Sequence, residues 1–153
     1  MKTALEVLLE YAAAFEETYA DDNWERLAPY FAQDAVYEVR GGPLACTIEG
    51  PTAIFAGLKK SLDGLDRKCD KRKIDVLSAP QINTTGEGEE VSLEWRVRYT
   101  YGELPESGFA GRSLALINNG VITSLRDEYA DTELDSFEAW VRDNDVPVDG
   151  AYV

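Results

Sequence analysis

Asp127 is the side chain of this sequence best placed to move a proton. It lies in Val121–Tyr129, a run that alternates as a strand does, so that Thr123, Leu125, Asp127 and Tyr129 share one face. An aspartate between Leu125 and Tyr129 is expected to be partly desolvated, with a basicity set by whether an arginine pairs with it or apolar contacts dominate. The alternative is an exposed aspartate beside Arg126 and Glu128. The chain contains no histidine, which excludes Ser-His-Asp and Cys-His chemistry and removes the commonest ligand for zinc, copper or iron. Acid–base work therefore falls to carboxylates, tyrosines or lysines. There is no calcium-loop spacing, and neither metal nor cofactor is expected.

The partners of such a base come from three further strands. Tyr37, in the alternation Ala35, Tyr37, Val39, can donate a hydrogen bond to a ligand or serve as a plain core aromatic. Arg96 and Arg98, with Glu94, form an alternating charged row. They either face the pocket, where Arg96 assists the base and Arg98 clamps a ligand oxygen, or make cross-strand ion pairs on the outer side or at a dimer interface. Ser113 follows Phe109 and Gly111 at two-residue steps, and two small residues there leave room for a ligand. Trp24, Ile54, Leu58, Phe109, Leu125 and Tyr129 are expected to line the pocket or the core.

These residues need a frame. The chain has 153 residues, 44% of them hydrophobic, enough for one domain spanning residues 1–153. Its 15 Lys+Arg against 29 Asp+Glu leave a net charge of −14. A field of that sign repels phosphate backbones and anionic lipid, so neither nucleic acid nor membrane is an expected partner. A basic cluster from Lys59 to Lys73 is diluted by Asp63, Asp66 and Asp70, and reads as a solvated helix end and strand start, or as an anion or intersubunit contact. Two cysteines without CxxC spacing, and an acid-bearing N-terminus with no cleavage pattern, suggest a reduced, cytoplasmic protein.

Leu5, Leu8, Leu9, Ala12, Phe15 and Tyr19 recur at helical intervals and predict a first helix over 4–19. Asp21, Asp22 and Asn23 are N-cap candidates for a second, containing Trp24, Leu27, Ala28 and Phe31 and disturbed by Pro29. Gly50-Pro51-Thr52 opens a third with the stripe Ile54, Phe55, Leu58, Leu62, Leu65. Strands are expected at Ala35–Arg40, briefly at Thr47–Glu49, then at Lys73–Ile82 and Val91–Tyr101. Phe109–Ile117 and Val121–Tyr129 form a hairpin across Asn118-Asn119-Gly120. Leu134–Val141 is a short last helix. Helices followed by an antiparallel meander predict an α+β fold.

Three stretches, DDNWERLAPYFAQDAVYEV (21–39), GPTAIFAGL (50–58) and GRSLALINNGVITSLRDEYAD (111–131), together resemble the nuclear transport factor 2-like superfamily. The resemblance implies a cone: a curved mixed or antiparallel sheet, three N-terminal helices and a short C-terminal one around an apolar pocket, with a homodimer formed through the sheet. LRDEYADTELDSFEAWV (125–141) resembles the segment bearing the water-activating aspartate in the limonene-epoxide hydrolase and SnoaL-like branch, and implies that role for Asp127. By the same likeness Tyr37 holds the water and Arg96 orients. Val39 stands where the hydrolase has asparagine, and Arg98 where it has its acid. In the ketosteroid isomerase pattern the base position falls on Val39 and the oxyanion-binding acid near Ser113. Scytalone dehydratase-like and typical SnoaL-like cyclase mechanisms call for histidine. Three readings stay open: a cofactor-independent enzyme (isomerase, cyclase or hydrolase-like) for a hydrophobic ring-containing metabolite, with Asp127 as base; a non-catalytic binding module for such a molecule; and a protein-interaction role for the outer face of the sheet.

Overall fold

The computed structural model describes residues 2–153. Helix α1 spans Ala4–Asp21 and opens with a capping box, Thr3 Oγ1 accepting from the Glu6 amide while the Glu6 carboxylate accepts from that of Thr3. Its buried face is Ala4, Val7, Leu8, Tyr11, Ala14 and Thr18, rotated from the expected stripe, so that Leu9 lies at the surface and Tyr11 inside. The second expected helix is a 3-10 turn, Trp24–Tyr30, and Phe31 already begins a strand. Pro29 carries no amide hydrogen to continue a helical ladder, which cuts the element short.

Strand β1 is Phe31–Arg40 and β2 is Cys46–Glu49, followed by helix α2, Pro51–Gly64. The strand expected over 73–82 is two pieces, β3 (Lys71–Val76) and β4 (Gln81–Thr85). Both pair antiparallel with the same edge of β5 (Gly88–Thr100), and the intervening residues of the break include Pro80. Strands β6 (Ser107–Asn118) and β7 (Val121–Tyr129) form the expected hairpin, with Asn119 (φ 52°) and Gly120 (φ 79°) in the turn. Helix α3 is Asp131–Asp143.

The order β2-β1-β7-β6-β5-β3 makes one curved sheet, antiparallel except where β1 runs parallel to β7. Alternation divides it into two chemically different faces. Tyr37, Leu93, Trp95, Val97, Tyr99, Phe109, Ser113, Leu125, Asp127 and Tyr129 face the helices and bound a cavity. Glu38, Arg40, Arg112, Arg126 and Glu128 lie on the other face, where Glu128 binds Arg40, Arg112 and Arg126 together. Among the described residues, no helix is long and apolar enough to cross a membrane. Cys46 and Cys69 are not bridged, and burial pushes the Cys69 thiol up to about 11.

The C-terminal tail completes the enclosure. The Asp149 amide donates to the Gly64 carbonyl (2.8 Å) and Ser61 Oγ to that of Gly150 (2.7 Å). A Cβ on Gly64 would stand 1.9 Å from the Asp149 carbonyl oxygen, so only glycine lets the tail lie this close to α2. That contact carries Tyr152 into the interior, edge-on to Tyr37.

Candidate active site

Strand pairing sets the polar centre. Asp127 on β7 is directly opposite Ser113 on β6, which is opposite Leu93 on β5. Ser113 Oγ donates to Asp127 Oδ1 at 2.6 Å and accepts from Trp95 Nε1 at 3.0 Å. On the other side, Val39 pairs with Asp127 across the parallel β1–β7 ladder, so Tyr37 is the diagonal neighbour of the aspartate. The Tyr37 hydroxyl donates to Asp127 Oδ2 at 2.5 Å. Gly111 makes the Trp95 contact feasible, because a Cβ there would come within 3.0 Å of the indole and 2.6 Å of the Glu128 carbonyl oxygen. The room expected from the small pair Gly111 and Ser113 is thus partly taken by Trp95.

No lysine or arginine among the described residues pairs with Asp127. Burial in the cavity wall, with no cation to offset it, raises its carboxyl above the usual range; the bonds from Ser113 and Tyr37 oppose that rise without cancelling it. Four phenols surround the carboxyl. Tyr37, Tyr11 and Tyr129 are pushed well up, chiefly by burial, and Tyr152 is pushed up to about 12. All four are hydrogen-bond donors at any ordinary pH, and the Tyr129 and Tyr152 hydroxyls share a hydrogen bond.

The cavity holds about 270 Å³. Ile74 (41% exposed) and Val76 (60% exposed) on β3 are its most solvent-exposed large apolar lining residues. A 150 Å³ apolar cavity accommodates one benzene, so this volume suits a molecule of about two fused rings.

Seven of the eleven expected site residues line the cavity: Asp127, Tyr37, Leu58, Phe109, Ser113, Leu125 and Tyr129. Four do not. Arg96 and Arg98 fall on the opposite face, because Trp95, Val97 and Tyr99 point inward and strand side chains alternate. Arg96 donates to Glu133 of α3 at 2.5 Å, and Arg98 lies 3.9 Å from Asp75. Trp24 packs between Phe15 and Phe55 and donates to Asp22, while Ile54 is sealed in the core beneath α2.

Sequence reasoning passed over Tyr11, Tyr152, Asp66 and Arg72, all of them cavity residues. Asp66 carried a signal, since it continues the α2 stripe of Leu58 and Leu62 by one further turn. Arg72 carried another, two residues before Ile74 on the same strand face. Tyr152 carried none. Among the described residues, no cluster of three or more acidic or cysteine side chains is arranged to hold a metal ion.

Residues 12–127 match the model of the SnoaL-like domain family. The match covers well over half of the sequence. The chain belongs to the SnoaL-like domain family. Solved structures repeat the architecture of this SnoaL-like chain. A nuclear transport factor 2-like protein from Burkholderia xenovorans LB400 superposes with a TM-score of 0.56 at 18% identity, over 86% of this chain and 95% of its own. TerC, crystallised with polyporic acid, gives 0.57 at 14% identity over 84% and 95%. A Shewanella putrefaciens CN-32 protein assigned as a SnoaL-like polyketide cyclase gives 0.61 at 10% over 92% and 88%. No curated protein matches the SnoaL-like chain in sequence. Tyr152 and all of α3 lie beyond the family match, so the tail that closes this cavity is outside the matched span.

Proposed function

We propose that this protein is a cofactor-independent acid–base enzyme that shifts a proton on a small, uncharged, ring-containing ketone, in an isomerisation or a ring-closing reaction. The observation that carries this reading is Asp127: a carboxylate without a cation, sunk in an apolar cavity, with both oxygens oriented by Ser113 and Tyr37. Desolvation makes such a carboxylate a stronger base than one in water, at a place where a carbon acid can reach it.

In the proposed step Asp127 takes a proton from the carbon next to the ring carbonyl. The C–H electron pair forms the enolate double bond, and the carbonyl π pair moves onto its oxygen. Tyr152, a phenol held protonated and bonded to Tyr129, donates to that oxygen. Where a ring double bond is conjugated with the enolate, the dienolate recovers the proton from Asp127 at the far carbon. In the ring-closing case the enolate carbon attacks a second carbonyl carbon of the same molecule, whose π pair moves onto its oxygen and takes the proton from Asp127. The placement of Arg96 and Arg98 outside the cavity leaves the hydrolase-like reading without its arginine. The polyketide cyclase assignment of a structural relative is compatible with the enolate route.

Deuterium uptake at the carbon next to the carbonyl of 1-tetralone, a two-ring ketone, tests the reading by NMR in D₂O. Wild type should accelerate the uptake, and Asp127→Asn should remove the acceleration. Saturable binding with no acceleration by wild type would instead make the protein a binding module.

A further inference from the structure

Two buried charged residues in the cavity wall take no part in that step. Asp66 is 7% exposed and the Arg72 side chain 9%. Arg72 Nε donates to Asp66 Oδ2 at 2.6 Å, and the Tyr99 hydroxyl donates to the same oxygen at 3.1 Å. Arg72 Nη1 binds the Glu16 carboxylate at 2.9 Å, and the guanidinium lies over the Tyr19 ring, 4.7 Å from its centre. Among the described residues these contacts leave Arg72 Nη2 without an acceptor and Asp66 Oδ1 without a side-chain partner. Asp66, Arg72, Glu16 and Tyr99 all border the cavity.

An apolar wall would enclose a purely apolar ligand at lower cost, because burying an ion pair spends hydration that the attraction between the charges only partly returns. The charge balance also says what the pair would bind. One guanidinium faces two carboxylates, so an incoming carboxylate or phosphate would meet net negative charge. A neutral hydroxyl can accept from Arg72 Nη2 while donating to the Asp66 carboxylate, which its own backbone amide serves only in part.

We propose that Arg72 and Asp66 form a second subsite, which binds an uncharged hydroxyl on the part of the ligand remote from the reacting carbonyl. This inference rests on the enzymatic reading for the identity of the reacting end, but the hydroxyl preference is measurable without turnover.

Titration calorimetry at pH 6, where the phenol is neutral, with 1-tetralone and 6-hydroxy-1-tetralone tests it. Wild type should bind the hydroxylated ketone about tenfold more tightly, as expected for one well-made hydrogen bond to a charged partner. Arg72→Lys keeps the charge but loses the planar fork, and should bring the ratio to near one; Asp127→Asn should keep it. A second measurement needs no variant: 6-carboxy-1-tetralone at pH 8 should bind wild type more weakly than 1-tetralone. Equal affinity for the two uncharged ketones, a preference for the carboxylate, or an unchanged ratio in folded Arg72→Lys would each overturn the subsite. Failure of all three compounds to bind would overturn the subsite and the enzymatic reading together. A tenfold ratio without deuterium uptake would leave the subsite standing and remove the chemistry.

Discussion

Replacing Asp127 by asparagine should separate catalysis from stability, with the two moving in opposite directions. The substitution preserves shape and removes the base. A positioned general base contributes roughly 10²–10⁴ in rate, so uptake of deuterium by 1-tetralone should fall by at least about 10². Stability should respond with a definite pH dependence. Burial raises the Asp127 carboxyl above its unfolded value, so between those two values the native state binds more protons than the unfolded state. Unfolding free energy then decreases as pH rises through that window. Above the native value wild type carries the full cost of a buried carboxylate, which the neutral amide avoids. Against that gain, the amide must hydrogen-bond Ser113 Oγ, which already accepts from Trp95, at a cost of about 1 kcal/mol.

Urea unfolding of both proteins from pH 4 to pH 8, followed by tryptophan fluorescence, measures this directly. The variant should gain on wild type as pH rises through that window. Asp66 is also raised by burial, but it is present in both proteins and cancels in the difference. A stability difference that stays flat across the range would refute a buried, unpaired carboxylate at 127. A variant retaining more than a tenth of the wild-type exchange rate would refute its role as base.

Other substitutions probe the frame around it. Asp66→Ala strands the buried Arg72 guanidinium beside Glu16 alone and should cost about 3–5 kcal/mol in urea unfolding, whereas a loss under 1 kcal/mol would mean that water reaches the pair freely. Tyr152→Phe should slow deuterium uptake by about 10² if its hydroxyl meets the enolate oxygen, and an unchanged rate would assign that donor elsewhere. Leu125→Trp fills the cavity floor and should abolish calorimetric binding of 1-tetralone while the protein stays folded; undiminished binding would place the ligand outside this cavity. The homodimer through the sheet that the resemblance implies would give a light-scattering mass of twice 17.0 kDa. The ion pairs around Glu128 on the outer face of the sheet should make it weaken in salt, and a monomer throughout the micromolar range would remove it.

Much of the architecture could be read before any coordinates. Clean alternation in 91–101 and in 121–129, and the Asn119-Gly120 turn between two strands, fix element type because a two-residue period and a left-handed turn have few other uses. That Asp127, Tyr37 and Ser113 can face one cavity followed from the same alternation, but their hydrogen bonds to one another depend on strand order and register. Arg96 and Arg98 failed for a related reason. Alternation says that they share a face with each other, and only packing decides which face looks inward. Trp95, Val97 and Tyr99 are the larger apolar set, and burying them turns the arginines out. The disturbance at Pro29 was legible, but a stripe at helical spacing did not show that the whole element is a 3-10 turn or that Phe31 already belongs to β1.

By itself, the sequence determined the fold class, the strand that carries the carboxylate and the exclusion of histidine chemistry, since these depend on residue types and local periods. Tertiary structure alone decided the rest. Asp66 and Arg72 look like members of a solvated charge run until the curved sheet and α1 close over them. Tyr152 belongs to a tail with no periodicity, and it enters the site only because Gly64 lets that tail lie against α2. Both are contacts between segments far apart in the chain, whose energy comes from burial shared between them, and no local pattern records such a contact.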